Sequence, residues 1–140
     1  MTKYILIILG SILIVSCNYS NCKNDADIYV SDLLINHTSN RNIDYCYLLK
    51  GTIEEKKEIY SEFLRLEIYD GAGYDHGITL SELVEYLGED TFIEITSSLN
   101  FAERNLIKSY LESGIESDNK RNGNSFKSLF PNVNREFSKE

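Results

Sequence analysis

The chain is 140 residues long and carries 14 Lys and Arg side chains against 22 Asp and Glu, a formal net charge of −8 at pH 7. Nucleic acids and anionic headgroups are bound by clustered Lys and Arg, so this composition argues against a nucleic-acid-binding protein. The length suits a single domain.

The amino terminus has the composition of an export signal. Residues 4–15 are apolar apart from one glycine, one serine and a tyrosine hydroxyl, and Lys3 precedes them. As a helix this run would be about 18 Å long at ~1.5 Å per residue, which is shorter than the roughly 30 Å hydrocarbon core of a bilayer. Ser16 supplies the small residue that a signal peptidase requires. We therefore expect a secretory signal rather than a transmembrane helix.

The end of this run, Ile14–Cys17, resembles the lipobox of bacterial lipoproteins, in which an aliphatic, a tolerant and a small residue precede an obligatory cysteine. The resemblance implies that residues 1–16 are removed and that Cys17 carries a diacylglycerol thioether and an acylated amino group. Several chains would make the attachment permanent, since a single one gives only reversible binding. This predicts a protein anchored in the cell envelope, at the outer membrane if the host has one, because Asn18 follows the cysteine. The alternatives are an uncleaved anchor, or a secreted protein in which Cys17 is a plain thiol.

Two further cysteines form an even pair in the exported chain. Removal of residues 1–16 leaves 124 residues, with 13 basic side chains against 22 acidic ones and a net charge of −9. Outside the cytoplasm a disulfide between Cys22 and Cys46 is the expected state. In the chain-entropy model, a loop of this length contributes about 3 kcal/mol. Free thiols and metal ligation are the alternatives.

The first half of the mature chain predicts a tether and two helices. Residues 17–24 are polar and would form the tether, and the 36–42 segment has turn composition. The 45–49 segment suits a short strand or an extended lead-in. A capping box of Thr52 and Glu55 predicts a helix running to about residue 69. The first helix is predicted from residue 25 by apolar residues at i, i+3, i+4, i+7 and i+8, namely Ala26, Tyr29, Val30, Leu33 and Leu34.

The middle of the chain predicts a glycine-rich break followed by a third helix. Three glycines in the 70–77 segment indicate an interhelical loop. Thr79 and Glu82 have capping-box spacing, and Gly88 suits a helix terminator. The apolar positions between them, at i, i+3, i+4 and i+7, are Leu80, Leu83, Val84 and Leu87.

The remaining residues predict two more helices and a tail. Residues 91–96 suit either a strand or a helix, and their helical neighbours favour a helix. Asn100 and Glu103 have capping-box spacing for a last helix that ends near Gly114. The polar 116–125 segment would be a mobile link, and residues 126–133 would return to cover the core. The chain is thus predicted to be all-α, a small bundle of four to five helices at 25–115 with a linker and tail at 116–140.

No pattern in the chain predicts a catalytic or metal site. A calcium loop ending at Glu82 would place Gly71 and Gly73 at ligand positions that need side-chain oxygens. No Lys-Ser or Lys-Thr pair closes a phosphate-binding loop, and the His and Cys spacings do not suit zinc. His76 beside Asp75 lacks a marked nucleophile and is expected to be an exposed loop histidine. We therefore expect a non-enzymatic protein that has no cofactor apart from the covalent lipid.

Tyrosines around the glycine-rich segment form the candidate binding surface. Exposed aromatic residues make good binding anchors, and the surface comprises Tyr69, Tyr74, Asp75, His76 and Tyr86. The acidic charge would attract a cationic protein partner. The expected function is a membrane-anchored interaction module, such as an immunity or inhibitor protein of the envelope. The alternative is a ligand-binding or assembly component of an envelope complex.

Overall fold

The structure, a computed structural model, describes residues 22–139. This part of the chain is all-helical and contains no strand, which confirms the predicted all-α class. The signal segment, Cys17 and most of the tether lie outside the described residues. More helices are present than the four to five expected: α1 Asp32–Ser39, α2 Tyr45–Ile53, α3 Lys57–Phe63, α4 Asp70–Leu87, α5 Glu89–Thr96, α6 Phe101–Ser117, a 3₁₀ turn Asn119–Arg121, α7 Phe126–Leu129 and α8 Pro131–Phe137.

The two longest helices, α4 and α6, form the central pair of the domain. They run side by side in the same direction. Three successive contacts show this: Ile68, just before α4, contacts Tyr110; Gly77 contacts Gly114; and Glu85 contacts Arg121, just after α6. The helices α1 and α5 pack on α4, α2 packs on α3, and α8 packs between α5 and α6.

The glycine-rich 70–77 segment is not an interhelical loop, as the sequence predicted, but the first two turns of α4. Gly77 lies against the backbone of α6, where a Cβ atom would come within 2.0 Å of the Tyr110 carbonyl oxygen. Glycine in a helix interior costs about 1 kcal/mol relative to alanine. Here the missing side chain lets the two helix backbones touch, and the packing gained offsets that cost.

The predicted first helix is wrong over residues 25–30, which are not helical. Ile28 and Val30 are buried while Tyr29 between them is exposed, the alternation of an extended segment. Both backbone polar groups of Tyr29 are bound by α4: its N–H donates to Glu82 at 2.9 Å, and its carbonyl accepts from the Thr79 hydroxyl at 3.2 Å. Helix α1 begins only after Ser31, whose hydroxyl caps it.

The predicted second helix is also placed wrongly. Residues 45–49 belong to α2, which is neither a strand nor an extended lead-in. Thr52 lies inside that helix and donates its hydroxyl to the Leu48 carbonyl at 2.8 Å, so it caps nothing. The chain turns at Glu55, which has a positive φ of 55°. Helix α3 then ends at Phe63, well before residue 69.

The carboxyl-terminal half follows the predictions more closely. Helix α5 confirms the preference for helix at 91–96, and the reciprocal capping box of Asn100 and Glu103 is present at the start of α6. Gly88 ends α4 with φ 81°. Helix α6 continues beyond Gly114 to Ser117. The apolar residues at 126–133 do return to the core, where Phe126, Phe130 and Val133 are buried.

The segment predicted to be a mobile link, 116–125, contains regular structure. Helix α6 occupies its first two residues, and a 3₁₀ turn follows. Arg121 in this turn is buried and forms ion pairs with Asp118 and, at 2.8 Å, with Glu85 on α4. These pairs attach the turn to the end of the central helix pair.

A disulfide joins the beginning of the described chain to α2. Cys22 and Cys46 are bonded through their sulfurs, with their Cα atoms 5.4 Å apart, as the sequence predicted. No helix within residues 22–139 is long and apolar enough to cross a membrane.

Candidate functional site

The structure separates the residues of the predicted binding surface. Tyr69 and Tyr74 are exposed and line one groove. Tyr86 is equally exposed but lies twelve residues along α4 from Tyr74, about 18 Å at ~1.5 Å per residue. Asp75 is half-buried and accepts a hydrogen bond from the Ser31 hydroxyl, so it holds the amino-terminal segment. His76 is buried, and the prediction of an exposed loop histidine is wrong.

His76 lies at the centre of an aromatic cluster between α2, α3, α4 and α6. Its ring centroid is 5.6 Å from that of Tyr45, 5.6 Å from Phe63 and 5.0 Å from Tyr110, all edge to face. Its Nδ1 atom shares a hydrogen bond of 2.7 Å with the Tyr45 hydroxyl. Burial lowers the pKa of His76 to about 3 and raises the pKa of Tyr45 well above its ordinary value. Both side chains are therefore neutral at physiological pH and serve the core.

The groove that remains lies between the start of α4 and the middle of α6. It has a volume of about 330 Å³. Apolar and aromatic side chains from both helices line it, with two serine hydroxyls on the α6 side. The lining residues are Ile68, Tyr69, Asp70, Gly73, Tyr74, Leu106, Ser109, Tyr110 and Ser113.

The floor of the groove is built by a hydrogen-bonded clamp around Ile68. The Tyr110 hydroxyl accepts the Ile68 N–H at 2.8 Å and donates to the Ile68 carbonyl at 3.0 Å. Gly73 leaves room for this carbonyl, since a Cβ there would lie 3.1 Å from it. The clamp holds the 66–69 segment, which links α3 to α4, against α6 and thereby sets the position of Tyr69 at the rim.

Charged groups of both signs lie beside Tyr69: the carboxylates of Glu67 and Asp70, and the guanidinium of Arg41, which donates to the Glu67 carbonyl. The Tyr69 hydroxyl donates to the carboxylate of Glu67, and this bond raises the pKa of Tyr69. Asp70 also lines the groove, with a positive φ of 57°. Aromatic faces beside carboxylates suit a lysine or arginine side chain, through cation–π contact and ion pairing together. The arrangement is therefore chemically matched to a cationic group.

The groove is a better candidate than the larger cavity of about 630 Å³ along residues 22–30. The residues that line that cavity all come from one continuous segment, 22–30, at the beginning of the described chain. The groove is instead formed between two packed helices. Among residues 22–139, no three His, Cys, Asp or Glu side chains are grouped as a metal site requires.

Two of the nine residues that line the groove, Tyr69 and Tyr74, belong to the binding surface predicted from the sequence. Their position beside the glycine-rich segment is the signal that predicts these two tyrosines. The α6 residues Leu106, Ser109 and Ser113 were missed. They are more than thirty positions away from the tyrosines in the chain, and no local pattern marks them.

No known protein family, characterised protein or solved structure matches this chain.

Proposed function

We propose that this chain is a lipid-anchored protein of the cell envelope that binds a cationic protein partner through the groove between α4 and α6. The anchor would be the lipid on Cys17, after removal of residues 1–16. The proposed activity is non-enzymatic, and the proposed role is that of an immunity or inhibitor protein which neutralises a basic toxin or hydrolase.

The observation that carries this proposal is the pair of exposed tyrosines on a rigid groove. Tyrosine supplies a large contact area at low conformational cost and is enriched among the residues that dominate binding energies. The Tyr110 clamp and the glycine contacts between α4 and α6 hold the groove in shape, so little ordering is needed when a partner binds. Glu67 and Asp70 add negative charge at the rim.

The overall charge supports a cationic partner independently of the groove. A net charge of −9 on the mature chain would attract a basic protein and accelerate its association at low ionic strength. Because exposed charges are screened by salt, the complex should weaken as ionic strength rises.

The test uses the full-length lipidated chain as bait in an envelope extract, washed at low and at high salt. The substitution Tyr74→Ala is compared with Tyr86→Ala. These tyrosines are matched, since both lie on α4 with exposures of 52% and 51%. We expect Tyr74→Ala to weaken binding of the captured protein by about thirtyfold, equivalent to ~2 kcal/mol for a dominant interface residue. Tyr86→Ala should leave binding unchanged.

If Tyr74→Ala and Tyr86→Ala weaken binding equally, or if neither weakens it, the groove is refuted as the binding site. A partner that is not basic, or binding that high salt does not weaken, would refute the electrostatic part of the proposal.

The alternative function is a ligand-binding or assembly component of an envelope complex. The volume of the groove, about 330 Å³, lies at the lower end of the range for small-molecule pockets, which supports this second candidate. Thermal unfolding in the presence of small amines and amino acids tests it, because a ligand that binds the folded state raises the melting temperature. A ligand whose stabilising effect disappears in the Tyr74→Ala variant would favour this function over protein binding.

A further inference from the structure

Helix α2 presents an exposed face that carries aromatic and cationic side chains. Tyr47, Lys50 and Glu54 follow one another at helical spacing on the side opposite the buried Tyr45 and Leu48. Lys56 completes the group, since it forms an ion pair with Glu54, which also lies 4.0 Å from Lys50. We call these four residues the α2 outer face. These four residues hold two ammonium groups and one carboxylate, and the exposed Asp44 carboxylate accepts the Tyr47 N–H at 3.0 Å at the start of the helix.

The disulfide places this face next to the point where the tether enters the domain. Cys46 immediately precedes Tyr47, and its bond to Cys22 brings the Cα atoms of the two cysteines within 5.4 Å. Cys17, where the lipid would be attached, is five residues before Cys22. A chain of five residues spans at most about 17 Å. A lipid on Cys17 would therefore hold this corner of the domain close to the bilayer.

Helical geometry places the α4–α6 groove on the other side of the molecule. Tyr45 on α2 and His76 on α4 face each other across the core. Tyr47 lies two residues after Tyr45 on α2, and Tyr74 lies two residues before His76 on α4. A step of two residues rotates the side-chain direction by about 200° around an α-helix. Tyr47 therefore points away from α4, and Tyr74 points away from α2.

We propose that the α2 outer face rests on the lipid headgroups of the membrane that holds the Cys17 anchor, so that the α4–α6 groove faces away from the membrane. This inference rests on the lipid anchor of the proposed function. Tyrosine and lysine are suited to the headgroup region, where an aromatic ring meets the acyl boundary and ammonium groups meet phosphates. The acidic remainder of the domain is repelled by anionic lipids, which leaves this face toward the bilayer.

Lysine acylation on vesicles tests the orientation. The full-length chain, expressed in a bacterial host that processes lipoproteins, is added to preformed phosphatidylethanolamine–phosphatidylglycerol vesicles. It is then recovered by flotation and treated briefly with an amine-reactive acetate ester. Mass spectrometry reads the labelling rate of each lysine. Lys139 is the matched control. The side chains of Lys139 and Lys50 are both 59% exposed, and each lies near one glutamate, Glu136 and Glu54 respectively.

We expect Lys50 and Lys56 to be labelled several-fold more slowly than Lys139 on vesicles. The Tyr47→Ser substitution, at a position where the side chain is 60% exposed, should restore much of the labelling of Lys50 and leave Lys139 unchanged. If the protein floats with the vesicles but Lys50 and Lys56 react as fast as Lys139, the orientation is refuted while the anchor stands. Protein that does not float refutes the anchor, and the orientation with it.

Discussion

Gly77 of α4 and Gly114 of α6 lie in backbone contact, and a Cβ atom on Gly114 would lie only 2.2 Å from the carbonyl carbon of Gly77. The contact brings together the two longest helices of the domain, and it needs a residue without a side chain on both of them. The groove proposed as the binding site lies one to two turns before it on the same helix pair.

Replacing Gly114 by alanine should therefore destabilise the protein. Overpacking typically costs 1–3 kcal/mol, and the obstructing atoms here belong to a backbone that cannot rotate away, so we expect a loss of about 2 kcal/mol or more. Urea unfolding followed by far-ultraviolet circular dichroism measures it. Gly71→Ala is the control, since its new methyl would meet only the end of the exposed Leu33 side chain, at 3.3 Å. That control should be neutral, or more stable by up to ~1 kcal/mol from helix propensity. Equal effects of the two substitutions would contradict the close helix contact.

Burial of His76 should make the protein less stable in mild acid. The ordinary pKa of histidine is 6.5, and in the folded state it is lowered to about 3. Between these values the unfolded chain takes up a proton that the folded chain does not. His76 thus makes its whole contribution to the free energy of unfolding above pH 6.5. That contribution falls by about 1.4 kcal/mol per pH unit as the pH drops from 6 toward 4.

The contribution of His76 is isolated by comparing the wild type with His76→Phe in urea unfolding at several pH values between 7 and 4. The variant should lack this part of the pH slope. Tyr45→Phe, which removes the hydrogen bond but keeps His76 buried, should retain it. Parallel stability curves for the wild type and His76→Phe would contradict the neutral, buried histidine.

Arg121 should contribute strongly to stability because its side chain and that of one partner, Asp118, are desolvated, although its second partner, Glu85, is half exposed. The side chains of Arg121 and Asp118 are each only 10% exposed. The Arg121→Met substitution keeps most of the volume but leaves Asp118 without its cation, and we expect a loss of about 3 kcal/mol in the free energy of unfolding. Lys139→Met removes an exposed pair with Glu136 and should change stability by less than about 0.5 kcal/mol. Similar losses in both variants would show that burial does not strengthen the Arg121 pairs.

Reduction of the Cys22–Cys46 bridge should lower stability without changing the helical content. A loop with a sequence separation of 24 corresponds to about 3 kcal/mol in the chain-entropy model. Unfolding with and without dithiothreitol measures the difference, and non-reducing gels of Cys22→Ser detect the loss of the bridge. If this variant matches the wild type in both stability and mobility, the bridge does not form in the protein as produced.

Capping-box spacing predicted a helix start correctly where the side chain caps the helix that follows it. The same spacing was misleading where the side chain forms a different hydrogen bond. Asn100 accepts the Glu103 N–H at 2.9 Å, which is a contact between residues three apart that needs no tertiary structure. Thr52 precedes Glu55 by the same three residues, yet its hydroxyl binds a carbonyl one turn earlier. A threonine can make either bond, and the choice depends on whether the preceding residues are helical.

Local signals in the sequence were enough to predict the helical class, the preference for helix over strand at 91–96, the start of α6, the glycine at the end of α4 and the return of residues 126–133 to the core. Each of these follows from local bonding or from apolar spacing within a few residues. Tertiary structure decided that the glycine-rich 70–77 segment is helical, that His76 is buried and that Leu106 joins Tyr74 in one groove. In an isolated helix glycine is unfavourable, but where two helix backbones touch only glycine fits. The sequence around residues 70–77 contains the glycines, but it does not reveal that α6 will pack against them.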